Sequence, residues 1–433
     1  MFDKIAYIKR SGISQSIILQ MLRLLRPIAV GASAAISTSS FCDKKKPMFN
    51  RTSEKTNLKE ILNDISTLSI ITGENNCGKS TTMHSLLDEL QKKNKDRPIL
   101  RVDLRGAGID TPVDLVNRIA KPFNLSIFEK LPVGYKMKGA EATVSEVPEV
   151  KVEWEEVTPL QYASDYLDLV TYRLEVLFQE STGTDSLPIL FIDEAQHLNE
   201  LTKSPGGEAA LRKLFDFCVL NTKQYPRCHI VLVSSDSFFL QWVKEHIQVG
   251  QFTPYVIGPL SKKEAERYWK EVIIPDFYDK VGRASKPPLF EDAYSVAGGI
   301  IMYLKEYSKE YIRNTKVSPS TCDLIREAEF HFSLAKGSVK ESALGSWSPD
   351  CDKILQNILH APKNYLVYKD AVEKYGKVLV HEMIRANILR LRPSPEFVYD
   401  IENPPNRGIV TISYPALFYY LKEEEYKKKI NRN

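Results

Sequence analysis

Residues 67–81 read Thr67-Leu68-Ser69-Ile70-Ile71-Thr72-Gly73-Glu74-Asn75-Asn76-Cys77-Gly78-Lys79-Ser80-Thr81, an apolar run that ends on one glycine and passes through a second into Lys-Ser-Thr. The spacing is GxxxxGK[ST]. It stands directly after a segment of strand character and directly before Lys79 to Lys92, whose apolar spacing is helical. Glycines let such a loop wrap with its N–H groups turned inward, while the following helix offers unpaired N–H donors and the positive end of its dipole. A chance glycine turn beside a surface lysine rarely carries both flanking elements. Lys79 is therefore expected to neutralise the β- and γ-phosphates of a bound nucleotide and Ser80 to ligate Mg²⁺. Gly73, Glu74, Asn75, Asn76, Cys77 and Gly78 would line the phosphates. Thr81 is either a phosphate contact or an ordinary first-turn residue.

Working outward, Ile99 to Leu104 reads as a second strand, which completes a βαβ unit and implies a parallel sheet. Leu187 to Ile192 is a strand of the buried type. Glu208 to Leu220 is an amphipathic helix, and His229 to Ser234 is another apolar strand with a helix, Asp236 to His246, behind it. Strands this apolar call for helices on both faces. The fold class is thus α/β, a parallel sheet of the P-loop NTPase type flanked by helices.

The strand Leu187–Ile192 runs into Asp193-Glu194. That places two carboxylates at the carboxyl end of a central parallel strand, the edge where open α/β sheets bind ligands. Asp193 is expected to hold the Mg²⁺ shell, and Glu194 to orient and deprotonate an attacking water. Mg²⁺ takes oxygen ligands and keeps several waters, so one carboxylate, one hydroxyl and phosphate oxygens suffice. Ser234, Ser235 and Asp236 end the next strand, either to meet the γ-phosphate or to cap the helix that follows.

Several stretches taken together resemble the archaeal-type ATPases of the STAND branch of AAA+ proteins. They are Phe49-Asn50-Arg51 with Glu54, GENNCGKST at 73–81, FIDEAQHL at 191–198, VLVSS at 231–235, Gly258-Pro259-Leu260-Ser261, and AGGIIMYL at 297–304. The likeness spans about residues 47 to 310. It implies ATP as the nucleotide, places Arg51 (with Phe49) on the base side, and marks the acidic pair as the Walker B element. It also implies a helical lid, a winged-helix domain behind it and a switch acting on a protein partner. The lid motif Gly-Gly-x-Pro of that family is Gly298-Gly299-Ile300-Ile301 here. No sensor arginine is legible in the lid, and Arg212 and Arg227 are the candidates for a finger into a neighbouring copy in a nucleotide-dependent homo-oligomer.

The expected domains are a segment 1–46, the ATPase domain 47–258 with a surface insertion at about 134–157, a helical lid 259–343, and a winged-helix domain 350–433. The insertion interleaves Val and Glu from Val144 to Glu153 and reads as a hairpin or a loop. In the lid, Pro319 to Leu334 reads as a helix with Ser318 as its N-cap, and Gly345–Pro349 as a linker. In the last domain, helices at 352–359, 368–375 and 377–388 precede strands at 389–392, 397–401 and 408–413. Lys377, His381, Arg385, Arg390 and Arg392 lie on the part that would face a DNA groove, which makes DNA the alternative partner. Glu423 to Lys429 reads as a charged tail.

The 433 residues carry a formal net charge of +4, yet residues 1–46 hold eight Lys or Arg against two acidic residues, which leaves the remainder at −2. A basic, Ser-rich, acid-poor beginning with Arg23 and Arg26 inside an apolar stretch has the profile of a mitochondrial transit peptide, with the cytoplasm as the alternative location. The same two arginines argue against a membrane span. The six cysteines are scattered and form no CxxC pair, so neither a zinc site nor a disulfide framework is indicated.

Overall fold

The structure is a computed structural model. It describes residues 51–106, 109–120, 135–138, 153–156, separate positions between 167 and 179, 187–279, 286–341, 347–392, and 400–430 apart from 402 and 404. The segment 1–46, most of the insertion, residues 397–399 of the strand expected at 397–401 and residues 345–346 of the expected linker lie outside the described residues.

Strand β1 (Leu68–Thr72) is buried at every position. It pairs in parallel with β6 (His229–Ser234) on one side and β7 (Thr253–Val256) on the other. Strands β2 (Ile99–Asp103) and β5 (Ile189–Asp193) complete a five-stranded parallel sheet in the order β2-β5-β6-β1-β7. The strand carrying the acidic pair is thus one strand removed from the strand that feeds the glycine loop, with β6 between them. Strands β3 (Tyr135–Lys138) and β4 (Glu153–Glu156) pair antiparallel as a separate hairpin within the insertion.

The period-two alternation of the strands sorts their side chains onto two faces. Ile71, Phe191, Val231 and Val233 pack with Leu58 and Leu62 of α1 (Thr52–Asn63) and with Met83, Leu86 and Leu90 of α2 (Lys79–Lys93). Ile70, Leu100, Ile192, Ile230 and Leu232 face the other way. They meet Val116 of α3 (Pro112–Ala120), Leu211 and Leu214 of α4 (Gly207–Val219) and Phe239 and Val243 of α5 (Phe239–His246). Burying each of these leucines contributes about 2 kcal/mol. Both faces are covered, which is why the strands carry almost no polar alternation.

Helix α6 (Lys262–Tyr268) opens the lid with a capping box: the Ser261 hydroxyl accepts from the Glu264 N–H, and the Glu264 carboxylate accepts from the Ser261 N–H. The helix continues as a wider π turn to Asp279, followed by α7 (Phe290–Ala297), α8 (Ile301–Arg313) and α9 (Asp323–Glu341). The last begins four residues later than its sequence suggests. Ser318 and Thr321 bond each other in a turn, and the first N–H of the helix, Asp323's, is taken by the Glu310 carboxylate of α8.

The winged-helix domain consists of α10 (Pro349–His360), β8 (Leu366–Val367), α11 (Tyr368–Tyr375), α12 (Lys377–Arg385), β9 (Leu389–Arg392), β10 (Ile409–Ile412) and α13 (Pro415–Ile430). Its antiparallel sheet has the order β8-β10-β9. The charged run read as a tail is the end of α13, a helix anchored by buried Ala416 and Leu417 and packed on α9. Lid and winged helix share one apolar cluster that extends from Leu260 through Leu304 and Phe332 to Ile384 and Leu417. Among the described residues, no helix is long and apolar enough to cross a membrane.

Candidate functional site

The carboxyl ends of β1, β5 and β6 converge on the glycine loop. A Cβ at Gly73 would lie 2.0 Å from the Ile257 carbonyl oxygen, so only glycine lets the loop leave β1 past the end of β7. Gly78 has φ +98°, a left-handed value that turns the chain into α2. Cys77 is fully buried and its thiol faces the Ile257 carbonyl at 3.1 Å. Asn76 is also left-handed, at φ 61°. Together these place the N–H end of α2 behind a concave loop.

Lys79 turns back into this loop, and its ammonium donates to the carbonyls of Gly73 at 3.0 Å and Glu74 at 2.6 Å. It is buried, and burial is the largest reason that its pKa is lowered from the usual lysine range. Arg51, expected on the base side, lies beneath the loop, 1% exposed. It donates to the Cys77 carbonyl and pairs with Glu54 at 2.8 Å. Phe49 lies outside the described residues.

The Ser80 hydroxyl donates to Asp193 Oδ1 at 3.0 Å, joining the start of α2 to the end of β5. Asp193 is fully buried, and that burial raises its pKa, offset in part by the Ser80 hydrogen bond and by Arg105, whose Nη2 is 3.1 Å from Oδ2. His84 Nε2 stands 3.9 Å from the same oxygen. Glu194 follows in a left-handed backbone, φ 55°. Its carboxylate accepts from the Gln196 amide, and the Gln196 carbonyl oxygen accepts from the Ser235 N–H at 3.3 Å. Asp236 and Ser234 serve the turn into α5: the Phe238 N–H donates to the Asp236 carboxylate and the Asp236 N–H to the Ser234 hydroxyl.

The wing supplies two further side chains. Arg390 Nη2 donates to the Gly73 carbonyl at 2.8 Å and the Ser235 carbonyl at 3.1 Å. Arg392 Nη2 meets Glu74 Oε1 at 2.6 Å, and its Nη1 grips both oxygens of Asp400 at 2.8 and 3.0 Å. Both arginines are 8% exposed. This corrects the reading of the winged-helix surface: Arg390 and Arg392 face the glycine loop rather than solvent. His381 is buried too, bonded to the Tyr368 hydroxyl at 2.6 Å, its ring stacked on that of Tyr368 and tilted against that of Phe238. Arg385 is exposed but engaged with Glu382 and lies over the Phe238 ring.

Arg105, Gln196, Arg390 and Arg392 join the site without having been assigned to it from sequence. Arg105 carried a signal, since it follows the end of a strand, but that β2 adjoins β5 is a tertiary fact. Arg227, considered as a finger, lies over the Tyr225 ring and faces Glu175 at 3.8 Å.

Residues 48–307 match the family described as an ATPase domain predominantly from Archaea. An uncharacterised ATP-binding protein of Methanocaldococcus jannaschii is 24% identical over 369 residues, covering 80% of this chain and 94% of that protein. A second ATP-binding protein of the same organism is 22% identical over 360 residues, covering 80% and 90%. Among solved structures, the chain is similar to a Walker-type ATPase of Pyrococcus abyssi, with TM-score 0.46 and 17% identity over 87% of this chain and 96% of that one. It is also similar to the ORC2 protein of Aeropyrum pernix, with TM-score 0.42 and 14% identity over 90% and 98%.

Proposed function

The chain belongs to the family of ATPase domains found predominantly in Archaea, and from that membership and the geometry of its loop we propose that it is an ATP-hydrolysing molecular switch that acts on a protein partner. The observation that carries the reading is the Ser80 hydroxyl 3.0 Å from Asp193 Oδ1, with Lys79 folded into the loop beside it. A hydroxyl and a carboxylate so placed are hard oxygen donors suited to Mg²⁺. Ser80 and Asp193 would hold the ion, with oxygens of the nucleotide's phosphates and of water supplying its remaining ligands. The ion's contribution is neutralisation of phosphate charge.

In this reading the Lys79 ammonium exchanges its two carbonyl partners for phosphate oxygens. Glu194 accepts the proton of a water whose oxygen attacks the γ-phosphorus; the bond to the β-bridging oxygen breaks, and ADP and inorganic phosphate leave. The lid and winged helix share one core, which favours their moving as one body against the sheet when the phosphates are exchanged. DNA is the less favoured partner, because of the five basic residues read as groove-facing only Lys377 and Arg385 are exposed. Assembly into a nucleotide-dependent homo-oligomer and a mitochondrial matrix location are parts of the same proposal, the latter resting on the composition of residues 1–46 alone.

The test is ATP binding and turnover by the parent beside Lys79→Ala and Glu194→Gln. The reading expects Lys79→Ala to lose binding and Glu194→Gln to bind without turnover. Tight binding by the parent with no turnover would instead make ATP a structural ligand and remove the chemical role of Glu194.

A further inference from the structure

Arg390 is a buried guanidinium that donates to two backbone carbonyls, those of Gly73 and Ser235. Among the described residues no carboxylate lies within ion-pair distance of it. The pair between wing and loop is made by its neighbour Arg392, with Glu74. Buried cations normally sit against carboxylates, since carbonyl dipoles offset only part of the cost of leaving water. Burial accordingly holds the pKa of Arg390 below the usual arginine value. It also lies near a second buried cation: after burial, the charge of Arg390 is among the causes that hold the Lys79 pKa down. Two like charges brought together under cover repel. Glu74, which acts on both cations, and Glu194, which acts on Lys79, offset part of this repulsion, and a phosphate entering beside Arg390 and Lys79 offsets more of it.

The positions of its carbonyl partners locate that anion. Gly73 opens the phosphate loop at the end of β1, and Ser235 follows the end of the adjacent strand β6, so Arg390 spans the carboxyl edge where ligands of open parallel sheets bind. On the Ser235 side a cleft of about 500 Å³, lined by Asn75, Ser235, Asp236 and Arg390 among others, leads to the guanidinium. On the Gly73 side the wing fills the space down to about 20 Å³. The Ser235 peptide is also tied through Gln196 to Glu194. The guanidinium is thus at the end of the site where the reacting phosphate, rather than the base, would lie.

We propose that Arg390 is a γ-phosphate-binding residue supplied to the nucleotide site by the winged-helix domain of the same chain, held by the Gly73 and Ser235 carbonyls until the phosphate replaces them. The proposal rests on the reading of the loop as an ATP site and adds to it the residue that distinguishes ATP from ADP. Arg392, in contrast, docks the wing on Glu74 and is itself held by Asp400.

The experiment measures the affinities of the full chain for a non-hydrolysable ATP analogue and for ADP, each with Mg²⁺, in the parent, Arg390→Ala, Arg390→Lys and Asp400→Asn, with thermal unfolding of each. Charge-assisted contacts to a phosphate lead us to expect that Arg390→Ala weakens the analogue about tenfold or more while ADP changes less than about twofold. Arg390→Lys should recover part of that loss. Asp400→Asn, which loosens the hold on Arg392 and touches neither Arg390 nor its two carbonyl partners, should leave the ratio of the two affinities at the parent value. Equal losses for both nucleotides in Arg390→Ala, or none, would overturn the proposal and leave Arg390 as a docking residue. If the parent binds neither nucleotide, the ATP-site reading itself has failed. If it binds both and loses both in Lys79→Ala, that reading stands whatever Arg390 does.

Discussion

Arg392 on the wing meets Glu74, the second residue of the phosphate loop, at 2.6 Å, with both side chains almost wholly buried. The contact joins positions 318 residues apart. Arg392 is also held by Asp400, so one guanidinium balances two carboxylates. Removing it strands both. Arg392→Ala is expected to destabilise the protein by about 3–5 kcal/mol, read in denaturant unfolding, whereas a Glu74→Gln/Arg392→Met double variant should cost distinctly less. A cost below about 1 kcal/mol for Arg392→Ala would mean that the wing does not rest on the loop in solution.

The sheet and its loop were legible because their signals are local. An apolar run, a glycine spacing and a helical period lie within residues 67–93, and the strand ending in Asp193-Glu194 is equally self-contained. The wing arginines misled for a physical reason. Leu389-Arg390-Leu391-Arg392 alternates as an amphipathic strand does, and alternation reports that one face is apolar without saying what covers the other. Here the polar face is covered by the ATPase domain. Gln196 was hidden differently, since its partner Ser235 lies just past the end of β6, 39 positions away. The charged end of α13 looked like a tail because Glu and Lys are helix formers as well as solubilising residues, and only its apolar start, Ala416 and Leu417, is held by α9.

His229 begins β6 fully buried, with Nδ1 3.4 Å from the Thr67 hydroxyl and Nε2 without a partner among the described residues. Burial, aided by the charge of Arg97, lowers its pKa from 6.5 to about 4. The folded chain therefore keeps this imidazole neutral where the unfolded chain would protonate it. Stability from this group is fully present above pH 6.5 and is lost as the pH falls towards 4, with no further change below. Linkage sets the loss on the order of 3 kcal/mol. Unfolding free energies at pH 7 and pH 4.5 should show this slope in the parent and a reduced slope in His229→Gln. An unchanged slope would assign the acid lability to other groups.

Gln196 bridges the Glu194 carboxylate and the Ser235 N–H, and the Ser235 carbonyl in turn receives Arg390. The Gln196 amide is the donor that meets the Glu194 carboxylate, and it fixes the direction of that carboxylate. Gln196 would then be a positioning residue acting through Glu194. Gln196→Ala is expected to lower kcat about tenfold, part of what a general base supplies, while KM and nucleotide affinity stay within about twofold. A merely structural role would move affinity and thermal stability together with kcat. The decisive variant is the double one: if Gln196 works only by aiming Glu194, Gln196→Ala added to Glu194→Gln should cause no additional loss, because a base already removed cannot be misaligned.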